Sequence, residues 1–383
     1  MPEKIMKICL IGPHFPVMSY PCGAADFIEG LAKNLSQENI DVTVITSNCN
    51  ARKSDVFNVK VFQGNWGVLH VLRIFQWLCK NSVSVIDIQY EAYMYEGRWA
   101  IFLLPILCRL FLKNTMIVLT LHSQYLPEFG SRFWRPIQIS FCHKVVFYSE
   151  IFKKNMEKYK FPNRDKFFVQ GFPSNIVKHA SNLVNLFIDK LKNKNLTEQK
   201  MGVYFGHLNE GRGIEDIINS LAIVKEKKIP FSFVFLGQFN PESNIYHRNL
   251  ISLIKSLNLN SEISFSDRLS DDNISILFQS ADFCVLPFID GASFKNGSLA
   301  AAIIHNVPTI STISEITEIE LANSKAILWY KSGNIENLAD NLKKLLIDQN
   351  LLISMRSEMN KLEQFYSWQK YTSERIKIYN KPI

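Results

Sequence analysis

Residues 7–46 read KICLIGPHFPVMSYPCGAADFIEGLAKNLSQENIDVTVIT. The β-branched run at 7–11 predicts a short strand, which ends in a loop rich in proline and glycine at 12–23. Residues 24–37 have the apolar spacing of an amphipathic helix, and the run at 42–46 predicts a second strand. A strand, a loop, a helix and a further strand form the repeating unit of α/β proteins with parallel sheets.

The same alternation continues along both halves of the chain. Further strands are predicted at 83–89, 116–121 and 144–148, and then at 202–205, 231–236, 262–265, 283–286, 307–311 and 326–329. Helices are predicted between them at 214–228, 250–257, 271–279 and 334–348. The pattern is interrupted only at 178–200, a stretch rich in Asn and Lys. We therefore predict an α/β fold of two doubly wound, Rossmann-like domains that face each other across a cleft.

The composition agrees with two globular domains. The chain has 383 residues, of which 47% are hydrophobic and 20% charged, which excludes disordered, collagen-like and coiled-coil proteins. A net charge of +8 favours anionic partners such as phosphorylated metabolites, nucleic acids or an acidic membrane. The seven cysteines form no C-x-x-C pair, which argues against a zinc cluster or a disulfide framework and favours a reducing cytoplasm.

We expect neither a signal peptide nor a segment that spans a membrane. The first residues, MPEK, are not followed by the long apolar region of a signal peptide. The longest apolar run, at 99–108, is too short to cross about 30 Å of hydrocarbon. We expect this run to form a helix in a domain core, and shallow insertion beside a membrane is the alternative.

The loop at 206–213, GHLNEGRG, joins a predicted strand to a predicted helix. Arg212 lies between two glycines, so a ligand can approach its guanidinium without obstruction, and the following helix adds the positive end of its dipole. A guanidinium makes two-pronged contacts to phosphate oxygens, and His207 would donate a further hydrogen bond. These features predict a phosphate site, and the alternative is an ordinary solvated loop that contains an arginine by chance.

The loop at 287–298, PFIDGASFKNGS, follows the strand predicted at 283–286 and precedes a helix of small residues at 299–305. Lys295 would supply a positive charge here, and several small side chains would let backbone amides face an anion. These small residues are Gly291, Ser293, Gly297 and Ser298. The alternative is that Asp290 caps the turn and that Lys295 is simply solvated.

In the first half of the chain, candidate residues follow predicted strands or precede the first helix. Glu91 follows the strand at 83–89 and His122 follows the strand at 116–121, so both lie at carboxyl ends, where open parallel sheets bind ligands. Cys22 and Gly23 stand just before the first helix, where backbone can approach a ligand. For His122 the alternative is a structural histidine whose hydrogen bonds are all made inside the protein.

Together these motifs resemble the retaining GT-B glycosyltransferases, and within them the large family 4 of nucleotide-sugar-dependent enzymes. The opening KICLIGPHFP…CGAADFIEGLAKNL is similar to that family's first strand, Gly-Gly loop and first helix, with Cys22-Gly23 where two glycines are usual. TLHSQY is similar to its Thr-x-His segment, which implies that His122 lies at the sugar end of the cleft. FGHLNEGRG resembles its G-R-L-x-x-x-K-G motif, with His207 at the Arg position and Arg212 at the Lys position.

The segment PFIDGASFKNGSLAAAIIHNVPTIST resembles the family's donor-binding loop and helix but departs from it at two positions. The family's two glutamates, eight positions apart, fall on Ser293 and Ala301, so neither carboxylate is present, although the second normally holds the ribose hydroxyls. A related-looking branch has Asp-Gly-x-Ser-x-Lys/Arg in this loop, and DGASFK fits that form, which favours divergence over loss of activity. The resemblance implies donor binding by Asp290, Gly291, Ala292, Ser293, Gly297 and Ser298.

The resemblance covers nearly the whole chain and implies its domain organisation. Residues 1–177 would form an acceptor domain, 178–200 the boundary, and 201–364 the donor domain, while the helix at 365–383 would pack back on the first domain. A lipid-linked acceptor and an anionic membrane surface are expected partners, because the segment at 66–77 is rich in aromatic and basic residues. A helix in the domain core is the alternative, and it explains the same residues as well. The expected location is the cytoplasm, with attachment to the inner face of the cell membrane.

The implied reaction moves a sugar from a nucleoside diphosphate to an acceptor hydroxyl with the anomeric configuration kept, in polysaccharide, lipopolysaccharide or glycolipid synthesis. Arg212, Lys295 and His207, with amides near Gly23 and Gly297, would stabilise the departing diphosphate. No metal or other cofactor is then expected, and the chain has no D-x-D motif.

The other implied roles are less specific, and other classes of protein remain open. His122 would orient the sugar, and Glu91 and Cys22 would lie on the acceptor side. A non-catalytic GT-B subunit that binds a nucleotide sugar, or a nucleotide-sugar epimerase, would have the same fold. A nucleic-acid-binding protein is disfavoured because basic residues alternate with acidic ones and no RNA or DNA motif is present. The sequence does not identify the base, the sugar or the acceptor.

Overall fold

The computed structural model of the protein describes residues 5–12, 23–47, 51, 53–95, 98–122, 131–157, 163–178, 199–266 and 269–382. Residues 13–22 of the loop predicted at 12–23, which include Cys22, lie outside the described residues, as does most of the predicted boundary at 178–200.

Residues 1–173 and 368–383 form the first of two compact units. Its parallel sheet has the order β3-β2-β1-β4-β5-β6-β7 in the described residues. The strands are β1 (Lys7–Ile11), β2 (Asp41–Thr46), β3 (Asn58–Val61), β4 (Val85–Tyr90), β5 (Met116–Leu121), β6 (Lys144–Phe147) and β7 (Phe167–Val169). The helices that follow them are α1 (Gly23–Gln37), α2 (Val68–Asn81), α3 (Leu103–Phe111), α4 (Ser131–Phe141) and α5 (Glu150–Glu157). Strands β4 and β5 are buried along their whole length, as expected of central strands in a parallel sheet.

Residues 174–367 form the second unit. Its parallel sheet has the order β10-β9-β8-β11-β12-β13 in the described residues. The strands are β8 (Lys200–Phe205), β9 (Phe231–Leu236), β10 (Ile263–Ser266), β11 (Phe283–Leu286), β12 (Thr309–Thr312) and β13 (Ile327–Tyr330). The helices are α6 (Ile214–Glu226), α7 (Ile245–Ser256), α8 (Asp271–Ser280), α9 (Gly297–Ile304), α10 (Ile319–Ala322), α11 (Ile335–Ile347) and α12 (Gln349–Glu363).

Most of the predicted elements are confirmed, and the exceptions have physical reasons. The predicted strands agree with the structure to within two residues at each end. The helix predicted at 250–257 begins earlier, at Ile245, because the Asn244 side chain accepts hydrogen bonds from two amides of the first turn. Strands β3 and β7 were not predicted, since edge strands of three or four residues give little periodic signal.

In each sheet the strand order reverses at one place. Strand β1 lies between β2 and β4, and strand β8 lies between β9 and β11. The loops that leave the carboxyl ends of two such neighbouring strands run to opposite faces of the sheet, which leaves a crevice between them. These two reversal points are therefore the places in the fold where a ligand site is expected.

The last helix, α13 (Trp368–Asn380), belongs to the first unit and packs on α1. A Cβ atom on Gly30 would come within 2.3 Å of the Trp368 ring, so the missing side chain at Gly30 allows the two helices to approach closely. The two units divide the chain slightly differently from the predicted ranges, because residues 174–177 and 365–367 belong to the second unit.

Helix α13 is held in the first unit by a fully buried ion pair. The Arg375 guanidinium donates to Asp87 Oδ2 at 2.8 Å, and neither side chain is exposed to solvent. Arg375 also donates to Gln170 Oε1 at 2.6 Å and to Thr120 Oγ1 at 2.7 Å, while the Tyr379 hydroxyl donates to Asp87 at 2.6 Å. Since nearly every polar atom of the pair has a partner, the cost of removing both charges from water is offset.

The apolar run at 99–108 forms a 3₁₀ turn (Trp99–Phe102) followed by most of α3, and its buried residues include Ile101, Leu104 and Cys108. This agrees with the expected core helix. Leu110 and Phe111, at the end of α3, are exposed. Among the helices of the described residues, none is long and apolar enough to cross a bilayer.

Substitution of Arg375 by Met should lower the free energy of unfolding by about 3–5 kcal/mol, because it leaves Asp87 buried and without its cation. The matched control is Lys361→Met, which breaks the Lys361–Glu358 pair of 2.6 Å on the surface and should cost less than about 1 kcal/mol. Urea denaturation followed by tryptophan fluorescence measures both. A loss of less than 1 kcal/mol for the Arg375 variant would contradict the role assigned to the pair.

Candidate functional site

In the second unit, the loops that follow β8 and β11 touch each other at the reversal point. Gly213 has a positive φ of 68°, and a Cβ atom there would lie 2.7 Å from Pro287 Cβ. A Cβ atom on Gly211 would lie 3.6 Å from Ile289. Only glycine permits both the backbone conformation and the close approach at 213, so the 206–213 loop is held directly against the start of the 287–298 loop.

The 206–213 loop is anchored by its backbone, and its cation is left exposed. The Tyr204 hydroxyl donates to the His207 carbonyl at 3.0 Å, and His247 Nε2 donates to the Leu208 carbonyl at 2.8 Å. The Arg212 side chain is exposed and makes no hydrogen bond or ion pair with any other described residue. Its guanidinium is therefore available to a ligand.

His207 is exposed at the same loop, and its chemistry differs from that of the arginine expected in the resembling family. Burial of part of its ring lowers the pKa of His207, and the positive charge of Arg212 lowers it further. The imidazole is consequently neutral near physiological pH. It can donate one hydrogen bond to a ligand, but it adds no charge.

The 287–296 loop does not present amides to solvent at the positions predicted from its small residues. The Gly291 amide donates to the Phe288 carbonyl, the Ala292 amide to the Thr312 carbonyl, and the Ser293 amide to Asn296 Oδ1 at 2.6 Å. The prediction that Gly291 and Ser293 offer their amides to an anion is therefore wrong. The small residues are explained by packing, since Gly291 has a φ of 93° and ideal Cβ geometry would place that atom 2.2 Å from Ser314 Oγ.

The amides that remain open stand at the start of α9. Those of Gly297, Ser298 and Leu299 have no acceptor among the described residues, because the Asn296 side chain is bonded to Ser293 and does not cap the helix. A Cβ atom on Gly297 would meet nothing within 4 Å, so open space adjoins these amides. Lys295, two residues before Gly297, is exposed and makes no hydrogen bond or ion pair with the described residues, although its charge acts on Glu318.

Two further residues that were predicted to bind the donor, Asp290 and Ala292, do not offer their side chains in the way expected. Asp290 is exposed. The Ser314 hydroxyl donates a hydrogen bond of 2.5 Å to the backbone carbonyl oxygen of Asp290 and not to its carboxylate. Ala292 is fully buried, and so is Ala301, one of the two positions where glutamate was expected. The other such position, Ser293, is 2% exposed. The side chains at 293 and 301 thus face protein.

In the first unit, Glu91 and His122 lie side by side at the carboxyl ends of β4 and β5. The two strands pair in parallel up to Tyr90 and Leu121, and the His122 amide donates to the Tyr90 carbonyl at 2.9 Å. Glu91 is half-buried. Gly23 begins α1, and the space beside its Cα is open within 4 Å.

The His122 ring is set in a group of aromatic side chains that sequence reasoning did not identify. Its ring centroid lies 5.2 Å from that of Phe27 and 5.1 Å from that of Tyr148. Its Nε2 atom lies 2.9 Å from Gln89 Oε1, which can only accept, so Nε2 carries the proton. Gln89 and Asp87 alternate on a fully buried strand, and two polar residues in such a strand are a signal that could have been noticed.

Burial lowers the pKa of His122 to about 3, and the charge of Arg375 contributes to this shift. With Nε2 protonated and the ring neutral, Nδ1 carries a lone pair and can accept a hydrogen bond from a hydroxyl. The unfolded chain takes up a proton on this residue near pH 6.5, whereas the folded chain does not. Acidification from about pH 6.5 downward therefore reduces the stability of the folded state.

His122 should show no titration between about pH 5 and pH 8 in the folded protein. NMR of protein labelled with ¹⁵N-histidine measures this directly, and a His122→Gln sample assigns the signal. Its shifts should be those of a neutral ring protonated at Nε2. A titration midpoint between about 6 and 7, the range of an unperturbed histidine, would contradict this environment.

Comparisons with known proteins agree with the fold, and a family match covers most of the second unit. Residues 187–362 match the family described as glycosyl transferases group 1. A search of curated protein sequences gives no significant match.

Several solved structures are similar over nearly the whole chain. A glycosyltransferase from Rickettsia africae ESF-5 has 14% identity and a TM-score of 0.77, with 98% of each chain covered. Anabaena Alr3699/HepE in complex with UDP has 15% identity and a TM-score of 0.76, covering 97% of this chain and 99% of that chain. WaaG, a glycosyltransferase involved in lipopolysaccharide biosynthesis, has 13% identity and a TM-score of 0.66, with 98% and 100% covered.

Because the identities are this low, the solved structures establish the fold alone. The family match covers the domain that carries the two adjoining loops. The chain thus has two Rossmann-like units in the GT-B fold, and residues 187–362, which lie in the second unit, match the glycosyl transferases group 1 family.

Proposed function

We propose that this protein transfers a sugar from a nucleoside diphosphate to an acceptor hydroxyl with retention of the anomeric configuration. The observation that carries the proposal is the exposed positive groups on the two loops that touch at Gly213 and Pro287: the Arg212 guanidinium on one loop, and on the other the Lys295 ammonium followed by the open amides of α9. HepE, which has a similar fold, has been crystallised with UDP and with UDP-glucose.

The chemistry of the leaving group explains why these positive groups would matter. Cleavage of the anomeric bond builds negative charge on the diphosphate, and donors already in place stabilise that charge more in the transition state than in the ground state. Arg212 can bind two phosphate oxygens at once, and Lys295 supplies a second charge. We propose that these two cations make a metal ion unnecessary, with neutral His207 as an additional hydrogen-bond donor.

The first unit would bind the acceptor and the sugar. The unprotonated Nδ1 atom of His122 can accept a hydrogen bond from a sugar hydroxyl, and the Gln89 contact fixes the plane of its ring. Glu91 and His122 follow the last paired residues of β4 and β5, Tyr90 and Leu121. Glu91 would contact the acceptor.

An apolar and basic surface of the first unit supports a lipid-linked acceptor. Val68, Leu69 and Leu72 are exposed on α2, with Leu69 78% exposed, and Leu110 and Phe111 are exposed at the end of α3. The two helices contact each other, and the Phe75 and Phe111 rings lie 5.8 Å apart. The exposed basic residues of the same helices and their ends are Arg73, Lys80, Arg109 and Lys113. Neither 68–81 nor 98–114 contains a carboxylate, so the surface suits an anionic membrane.

This surface differs in part from the one expected from the aromatic segment at 66–77. Trp66 is 1% exposed and His70 is 5% exposed, so both belong to the core. Trp66 packs on Tyr95, with ring centroids 4.8 Å apart. The leucines and the arginine of α2, and not its neighbouring aromatic residues, would meet the lipid.

A role in polysaccharide, lipopolysaccharide or glycolipid synthesis on the cytoplasmic face of the membrane fits these features. A lipid-linked acceptor would remain in the bilayer while the nucleotide sugar arrives from solution. The α2–α3 surface would bring the first unit to that acceptor.

A second candidate function is that of a non-catalytic subunit that binds a nucleotide sugar. It is favoured by one observation, the absence of carboxylates at positions 293 and 301. Turnover separates the two functions, because such a subunit would bind the donor without releasing the nucleoside diphosphate.

A thermal-shift screen with UDP-, GDP-, TDP- and ADP-sugars tests the proposal first. A ligand that binds the folded state raises the unfolding temperature, so the true donor should give the largest shift. The selected nucleotide sugar is then incubated with candidate lipid-linked acceptors, and nucleoside diphosphate release is measured. A screen in which no nucleotide sugar binds would contradict the proposed function.

Substitution of Arg212 by Ala should reduce turnover about a hundredfold, equivalent to about 3 kcal/mol, because one charge that stabilises the leaving group is lost. The unfolding temperature should not change, since the side chain is exposed and unpaired in the described residues. Lys227→Ala, which removes an exposed positive charge at the opposite end of α6, is the matched control and should keep normal turnover. Near-normal turnover of the Arg212 variant would remove the proposed phosphate contact.

The double variant Leu69→Ser, Leu72→Ser should bind vesicles that contain anionic lipid about tenfold more weakly, because two apolar side chains no longer leave water on binding. Ile353→Ser is the control, since Ile353 is 58% exposed on α12 of the second unit. Vesicle co-sedimentation measures all three proteins. Equal binding by the double variant and the control would exclude this face of α2 as the membrane contact.

A further inference from the structure

The 287–296 loop is held from one side by the segment that follows β12. The Ala292 amide donates to the Thr312 carbonyl at 2.9 Å, and the Phe294 amide donates to Glu318 Oε2, also at 2.9 Å. The Phe294 ring is fixed separately, with ring centroids 5.1 Å from Phe365 and 5.8 Å from Tyr366. The backbone at Phe294 is therefore oriented by a carboxylate, immediately before Lys295.

Glu318 is an unusual residue for a purely structural role. Glu318 is only 8% exposed, and its Oε1 atom is buried without a hydrogen-bond partner among the described residues. A buried carboxylate with one unsatisfied oxygen costs stability, and a neutral side chain of similar size would avoid that cost. The carboxylate therefore calls for an explanation other than the stability of the fold.

The position of Glu318 provides that explanation. Its carboxylate lies beside the residue that follows Ser293, where the resembling family carries a glutamate in the loop itself. Here the carboxylate reaches the loop from the segment after β12, 25 positions later in the chain. It contacts the backbone that leads to Lys295 and to the open amides of α9.

We propose that Glu318 is the positioning residue of the 287–296 loop. Its carboxylate fixes the Phe294 amide and thereby the positions of Lys295 and of the start of α9. Protonation of Glu318 loosens this part of the loop. The inference rests on the proposed function, since the groups that Glu318 positions are those assigned to the diphosphate.

The charges around Glu318 make this contact sensitive to pH near neutrality. Burial raises the pKa of Glu318 to about 7. Hydrogen bonds from the amides of Glu318 itself and of Phe294, and the charge of Lys295, act in the opposite direction, whereas Glu320 raises the pKa further. Burial and the Glu318 charge raise the pKa of Tyr366, which stays a neutral hydroxyl.

The sign of the pH effect follows from these groups. Above pH 7 the ionised carboxylate is the stronger acceptor for the Phe294 amide, so the loop is held and the donor binds more tightly. Below pH 7 the carboxyl is protonated and is a weaker acceptor for the Phe294 amide, so the loop is held less firmly. The folded-state pKa lies above the ordinary value of 4.5, so ionisation of Glu318 lowers the stability of the fold as the pH rises from about 4.5 to 7.

The test compares the wild-type protein with Glu318→Gln and with the control Glu320→Gln, which removes the same charge from an exposed side chain two residues away. Hydrogen exchange of the peptide that covers 287–297, corrected for the intrinsic pH dependence of exchange, is measured at about pH 5.5 and pH 8 without ligand. In the wild type and in Glu320→Gln, protection should be about fivefold greater at the higher pH. In Glu318→Gln, which accepts the same hydrogen bond but cannot ionise, protection should be equal at both.

The affinity for the nucleotide sugar selected by the thermal-shift screen is measured in the same samples. It should weaken about fivefold on acidification in the wild type and in Glu320→Gln, and should not change with pH in Glu318→Gln. Equal pH responses of the wild type and Glu318→Gln in the exchange experiment would overturn the positioning role. A wild-type protein that shows the exchange response but binds none of the screened nucleotide sugars would support the role of Glu318 and contradict the proposed function.

Discussion

The close contact between Gly213 and Pro287 is the constraint on which the second-unit site depends. Because β8 lies between β9 and β11, the loops that leave β8 and β11 diverge to opposite faces of the sheet. The glycine at 213 lets the end of the first loop touch the start of the second, at Pro287. As a result, a guanidinium from one loop and the open helix amides after the other belong to the same edge of the sheet.

A second constraint acts in the first unit, where the buried Asp87–Arg375 pair has two consequences. It holds α13 against the sheet, and its arginine helps to keep His122 neutral. The strand that carries Asp87 also carries Gln89, which sets the tautomer of His122. A structural ion pair and a candidate sugar-contacting histidine are thus parts of one connected group of polar residues.

In the 287–296 loop, the small residues and the open amides have different causes. Gly291 and Ser293 are small because of tight packing and internal hydrogen bonds, and their amides are already occupied. The amides left for an anion lie at Gly297 and beyond it. A carboxylate from another part of the chain, that of Glu318, accepts a hydrogen bond from the Phe294 amide of this loop.

The sequence by itself determined the two α/β units, the bounds of most strands, and the loops that contain Arg212 and Lys295, because these features depend on local periodicity and on residues near one another in the chain. Only the tertiary structure decided that Arg375 pairs with Asp87, that the Gly291 amide is occupied, and that Glu318 accepts a hydrogen bond from the 287–296 loop. Each of these depends on which distant segments the sheet order brings into hydrogen-bond distance, and burial and pairing across such separations leave no periodic trace in a single sequence.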